Sequence, residues 1–216
     1  MEKAFIFDFD GVIINSEPLW EVAKTELYQR IFGREIFLKM GLTVGMSVDA
    51  IYDRAVQCGA IVDKKFFVEE FFAKAPEIYA NAPLTPGTES IAKTLIGLGY
   101  KIGIVSASPM EWLEIALKRI DLKDNVSFIL SLYDREDIPH KPAPDGYLKA
   151  MDALGSSPQT TIILEDSKTG IQSAKACGAF TIGFRQNLLA GQSQDGADAY
   201  ANDFEDVVRL VGEKMF

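Results

Sequence analysis

The chain of 216 residues has two cysteines and one histidine. Cys58 and Cys177 form no C-x-x-C pair, which excludes a disulfide framework and a thiolate metal site. Both are expected as small buried hydrophobes in a reducing compartment. The single histidine, His140, excludes multi-histidine zinc sites, and any Ser-His or Cys-His relay would have to run through it. It is expected as a loop residue and not as a base. Basic charge is scarce: 22 Lys plus Arg against 31 Asp plus Glu leave a formal net charge of −9. Nucleic acid and anionic membrane surfaces are poor partners for such a chain. No apolar run approaches the roughly 20 residues of a membrane helix, and the first one, ending at Asp8, is too short for a signal peptide. A soluble, cytoplasmic, monomeric protein is expected.

Hydrophobic residues make up 48% and charged residues 25%, the range of an ordinary globular protein of one or two domains. Short apolar runs recur at residues 4–9 (AFIFDF), 101–106 (KIGIVS), 128–132 (FILSL), 161–164 (TIIL) and 180–184 (FTIGF). Continuous rather than alternating hydrophobicity indicates strands buried on both faces. Amphipathic helical segments lie between or after them at 87–98, 109–120, 145–154, 170–177 and 204–214. Alternating strands and helices predict an α/β fold: a Rossmann-like parallel sheet with helices on both faces. About ninety residues between the first two strands break this rhythm. There the patterns at 17–31, 48–57 and 64–79 read as helices, rich in phenylalanine. An inserted small helical domain is expected over residues 14–83, with the core formed by 1–13 and 84–216. Phe32, Phe37, Phe66, Phe67, Phe71 and Phe72 are its expected core.

Four short motifs sit where a parallel sheet presents ligands, beyond the carboxyl ends of its strands. Asp8 and Asp10 follow the first strand, two residues apart and so on one side of it, with Gly11 permitting a sharp turn. Two like charges held close need a cation or a shared proton. Taken alone, a solvated strand-end turn explains this pair equally well. Glu165 and Asp166 follow the strand at 161–164, and both pairs would meet at one sheet edge. Converging carboxylates favour a hard divalent cation such as Mg²⁺, although Asp-Ser is also a good helix N-cap. Ser106-Ala107-Ser108-Pro109 ends the strand at 101–106 and offers a hydroxyl and backbone N–H groups to phosphate oxygens; simple N-capping by Ser108 is the structural alternative. Lys141, between His140 and Pro142, could bring a positive charge to the same edge, or be an exposed loop lysine.

Taken together, DFDGV, VSAS, KPAPD and LEDS resemble the four motifs of the haloacid-dehalogenase-like hydrolase superfamily of phosphoryl-transfer enzymes. The resemblance runs from Phe5 to about Gly183. The helical insertion resembles the family's cap domain. Within the family the chain most resembles the β-phosphoglucomutase-like group of sugar-phosphate phosphatases and mutases; residues 15–20 (NSEPLW) and 106–109 (SASP) resemble its phosphatase side, and the LEDSKTGIQSAKACGA segment is also typical of the group. The resemblance implies that Asp8 is the nucleophile forming an aspartyl-phosphate and that Asp10 is the general acid–base. It implies Mg²⁺ held by the Asp8 carboxylate, the Asp10 carbonyl and Asp166, with Glu165 nearby or acting through water. Ser106, with the backbone around Ala107 and Ser108, would hold phosphate oxygens, and Lys141 would stabilise the developing charge. The implied partner is a small phosphorylated metabolite, a sugar or polyol phosphate.

Three positions depart from the pattern. Asn15 stands where the family often has a third Asp. Trp20 stands where the mutases carry a cap His, and is a candidate substrate contact with Leu19, Thr43 and Met46. Val48, three residues after Gly45, stands where the mutases carry an Arg for a distal phosphate; Lys39 and Arg54 are the candidate substitutes. A Mg²⁺-dependent phosphatase is therefore expected ahead of a β-phosphoglucomutase-type isomerase. A phosphorylatable signalling domain is a third reading, opposed by Asp10 and the insertion.

Overall fold

The computed structural model describes residues 1–43, 46–121, 125–189 and 193–214. Gly45 lies outside the described residues. The described chain divides into two compact units, Met1–Asn15 with Pro83–Phe216, and Ser16–Ala82.

The first unit is built on a parallel sheet of six strands among the described residues: β1 (Lys3–Phe7), β2 (Tyr100–Ser106), β3 (Val126–Ser131), β4 (Thr161–Glu165), β5 (Phe180–Phe184) and β6 (Ala199–Ala201). Their spatial order is β3-β2-β1-β4-β5-β6. The chain runs outward from β1 through β2 to β3 and returns on the other side with β4. The strand order therefore reverses between β1 and β4, where open α/β sheets open a ligand crevice. The central strands are the continuous apolar runs: every residue of β4 is buried, and so are four of five in β1. The edge strand β3 is only half buried, which explains its weaker apolar signal.

Helices α6 (Thr88–Gly97) and α10 (Phe204–Glu213) pack against each other. Likewise α8 (Asp145–Leu154) packs against α9 (Lys168–Ala176), while α7 (Met110–Leu117) follows β2. Around α8 and α9, Ile6, Val105, Leu130, Tyr147, Met151 and Ile163 form a closed apolar core. The chain leaves and re-enters this unit side by side: Ile14 bridges Leu84 antiparallel, and Asn15 N donates to Pro83 O at 2.8 Å.

The second unit holds α1 (Glu17–Phe32), α2 (Arg34–Met40), α3 (Val48–Gln57), α4 (Lys64–Phe72) and α5 (Ala75–Asn81). Ser47 and Asp63 cap α3 and α4, accepting from Ala50 N and Phe66 N. Each such cap is worth about 1 kcal/mol. Its core is aromatic: Phe67 is fully buried, its ring 4.9 Å from that of Phe32, and Trp20 stacks on Phe71 at 4.8 Å.

Several sequence expectations need correction. Residues 64–79 are not one helix but two, because Pro76 opens α5 and cannot sit inside a continuous helix. Phe66 is 44% exposed and outside the core. It sits one residue, about 100° around the helix, from the buried face that Phe67 and Phe71 share at i and i+4. Phe37 and Phe72 are only half buried, as is Cys58, whereas Cys177 is buried. Helix α2 and strand β6 are additional elements.

Candidate active site

Asp8 follows β1 directly, and its backbone N–H donates to Leu164 O at 2.9 Å, which ties it to the neighbouring strand β4. Glu165 ends β4 and Asp166 follows it, so all three acids flank the point where the strand order reverses. Carboxylate oxygens of Asp8, Glu165 and Asp166 lie within 4.8 Å of one another. Two glycines make this crowding feasible. A Cβ at Gly11 would sit 1.9 Å from Asp166 Oδ2, and one at Gly170 would sit 1.9 Å from Glu165 Oε1. Gly11 also has φ +79°, a left-handed turn that a side chain would strain.

Lys141 is the cation of the cluster. Its Nζ donates to Asp8 Oδ1 at 2.5 Å, Glu165 Oε1 at 2.6 Å and Val105 O at 3.2 Å. Its side chain is 8% exposed, so the exposed-loop reading of this lysine is set aside. Glu165 holds it in place. Besides Lys141, Glu165 Oε1 accepts from the Tyr147 hydroxyl at 2.7 Å, and Oε2 accepts from Ser167 N and Oγ. Ser167, not Asp166, caps α9, accepting from Gly170 N at 3.0 Å. Asp166 is thereby left facing the cluster.

Ser106 and Ser108 take separate roles. Ser106 is buried, and its Oγ accepts from Ser108 N at 3.0 Å. Ser108 Oγ donates to Asp10 Oδ2 at 2.7 Å. Ser108 does not cap α7. Asp134 does, its Oδ2 accepting from Met110 N at 2.7 Å. Ala107 is exposed between the two serines, and His140 is an exposed loop residue. The first unit thus brings Asp8, Asp10, Ser106, Ala107, Ser108, Lys141, Glu165 and Asp166 to the ends of β1, β2 and β4. Trp20 belongs to the second unit, where it is buried against Phe71.

The electrostatics show what the cluster lacks. Burial pushes the Asp8 carboxyl up to about 8; Lys141 opposes this shift, and the charges of Glu165 and Asp10 add to it. Burial also holds Asp166 well above the carboxylate range, helped by Asp8 and Glu165. For Lys141, burial acts downward but is outweighed by the charges of Asp8 and Glu165, so it stays firmly protonated. One ammonium is too little for this many carboxylates. An all-oxygen donor set with excess negative charge suits a hard divalent cation.

Four supporting residues were not singled out by the sequence. Tyr147 braces Glu165, and its ring lies 5.1 Å from Lys141 Nζ. Ser131 Oγ donates to Ser108 O at 2.9 Å. Asn187 Nδ2 donates to Gly11 O and to Thr85 Oγ1. Gln194 Nε2 donates to Asp166 O at 2.7 Å. All four hold backbone or buried groups of the site in place, and no local pattern marks them.

Residues 5–184 match the family model described as haloacid dehalogenase-like hydrolase. The chain belongs to this family. It is 34% identical over 181 residues to hexitol phosphatase B of Escherichia coli K12, covering 80% of this chain and 79% of that one. It is 27% identical over 188 residues to the phosphorylated carbohydrates phosphatase of Thermotoga maritima, covering 82% of each. Its fold matches the crystal structure of β-phosphoglucomutase from Clostridium difficile with a TM-score of 0.74 at 24% identity, over 99% of this chain and 97% of that one. Among the described residues no helix is long and apolar enough to cross a membrane.

Proposed function

We propose that this hydrolase is a Mg²⁺-dependent phosphatase of small phosphomonoesters, chiefly sugar or polyol phosphates, working through an aspartyl-phosphate on Asp8. The observation that carries the reading is Asp8 itself: a buried carboxylate hydrogen-bonded to Lys141, with Ser108-bound Asp10 two residues on. In the first step an Asp8 oxygen forms a bond to phosphorus while the bond from phosphorus to the leaving alcohol oxygen breaks. Asp10 gives its proton to that oxygen. In the second step Asp10 takes a proton from water, the water oxygen bonds to phosphorus, and the Asp8–phosphorus bond breaks to release phosphate. Splitting one displacement into two lowers each barrier. Lys141 and the donors around Ser106 and Ala107 stabilise charge on the transferring oxygens.

A bound Mg²⁺, held by Asp8, Asp166 and the Asp10 carbonyl, would supply Lewis-acid neutralisation of the phosphate and the carboxylates. Glu165 keeps Lys141 oriented. The unit Ser16–Ala82 serves as the cap and contributes substrate contacts. Isomerisation within a sugar phosphate is disfavoured, because Val48 offers no charge at the position where the family's mutases carry their arginine.

The test is phosphate release from a panel of hexitol, sugar and nucleoside monophosphates, with Mg²⁺ or with chelator. Turnover of hexitol or sugar phosphates that falls to background with chelator is expected. Release that is indifferent to chelator, or confined to nucleotides, would contradict the reading. Conversion of glucose 1-phosphate to glucose 6-phosphate without hydrolysis would favour the isomerase.

A further inference from the structure

The second unit carries a cavity of its own. Its volume is about 550 Å³, and Lys39, Met46, Ala50, Asp53, Arg54 and Gln57 line it. All of these residues lie within Ser16–Ala82.

Arg54 is its distinctive member. It is a half-buried residue of α3 whose Nη1 lies 3.9 Å from Met46 Sδ, a weak acceptor. Several other cations of the same unit have carboxylate partners. Lys24 pairs with Glu17 at 3.2 Å, Arg30 with Glu70 at 2.5 Å, Lys39 with Glu35 at 2.7 Å and Lys64 with Asp49 at 2.7 Å. Among the described residues no carboxylate comes within ion-pair distance of Arg54. The adjacent acid Asp53 is exposed, and neighbours in sequence do not face each other on a helix. A guanidinium partly withdrawn from water, with its fork unmatched, is a ready partner for a planar or tetrahedral oxyanion. Lys39, whose side chain is 55% exposed, adds a second positive charge at the rim while remaining tied to Glu35.

We propose that this cavity is an oxyanion site that takes the phosphate group of a small phosphorylated polyol, with Arg54 as its anchor. Lys39 supplements the charge. Asp53 accepts from and Gln57 donates to hydroxyl groups, and Met46 and Ala50 form the apolar wall. Arg54 lies six positions beyond Val48, so the site does not depend on the position where the family's mutases carry their arginine.

The experiment is a titration of the full chain, as the Asp8→Asn variant and in chelator, with methyl-labelled methionine followed by NMR. Met46 is assigned by Met46→Leu. Inorganic phosphate, glucitol 6-phosphate and glucitol are the three probes. A saturable shift of the Met46 methyl is expected with glucitol 6-phosphate, and a weaker one with inorganic phosphate. Arg54→Gln should weaken both at least about tenfold, and Arg54→Lys, which keeps charge but loses the fork, severalfold. A shift with phosphate alone equal to that with glucitol 6-phosphate would reject the polyol and leave a bare phosphate site. An unmoved Met46, equal affinity in Arg54→Gln and Arg54→Lys to that of the parent, or an equal shift with glucitol alone would overturn the proposal. Should Arg54→Gln fail to fold, Arg54→Lys carries the comparison.

Discussion

Asp8→Asn is expected to lower turnover of any substrate by about 10⁴-fold or more, the scale of loss when a covalent nucleophile is removed. The amide is nearly isosteric with the carboxylate, so the sheet edge is retained. Its oxygen can still accept from Lys141 Nζ, which lies 2.5 Å from Asp8 Oδ1. What is lost is the anionic oxygen that bonds to phosphorus. Burial already raises the Asp8 carboxyl to about 8, so the variant should not be less stable at pH 8 in chelator, where the native side chain is partly ionised against the cost of its burial. Steady-state phosphate release and denaturant melts of the two proteins check both statements. Residual activity within about tenfold of the parent would assign the nucleophile elsewhere.

Lys141→Met is the second large effect, and it acts on stability and catalysis together. The lysine side chain is 8% exposed and bridges Asp8 and Glu165, whose side chains are 10% and 0% exposed. Removing one member of a buried ionic cluster costs about 3–5 kcal/mol, because the charges left behind stay desolvated. The pH dependence has a definite sign. Asp8 has its pKa raised on folding, from 3.8 to about 8, so its contribution favours the folded state below about 4 and is lost as pH rises toward 8. Without Lys141, which opposes the shift, the Asp8 carboxyl rises further. The stability gap between variant and parent, measured in chelator, should therefore be larger at pH 8 than at pH 5. Turnover should also fall by about 10²–10³, the effect of losing a donor aimed at transition-state charge. A gap that is flat with pH, or wider at pH 5, would contradict this account of the cluster.

The fold class was legible because β1, β2, β4 and β5 are buried on both faces and read as plain apolar runs. Strand β6 has three residues, Ala199–Ala201, too few for any pattern. Helix α2 spans seven residues between Gly33 and Gly41, less than two full turns and without a stripe to detect. Phe66 was misread because adjacent phenylalanines look alike in sequence, whereas a helix presents only one of them to the core. At the site, the acids and serines could be named because strand ends fix where they appear. The state of Lys141 could not be inferred in that way. Its burial depends on Val105 O, Glu165 and the Tyr147 ring, contributed by β2, β4 and α8. Asn187 and Gln194 were invisible for the same reason: each acts through a carbonyl distant in sequence, Gly11 O and Asp166 O.

The central claim is that the phosphoryl group passes through Asp8. Acid quenching of the enzyme during turnover of a hexitol or sugar phosphate, followed by digestion and mass spectrometry, tests it directly. The account predicts one phosphoryl group on the peptide containing Asp8. It also predicts that the group persists longer in Asp10→Asn, where no base draws the proton from water. Phosphate release with an unmodified Asp8 peptide, or with the phosphoryl group on Ser106, would contradict it.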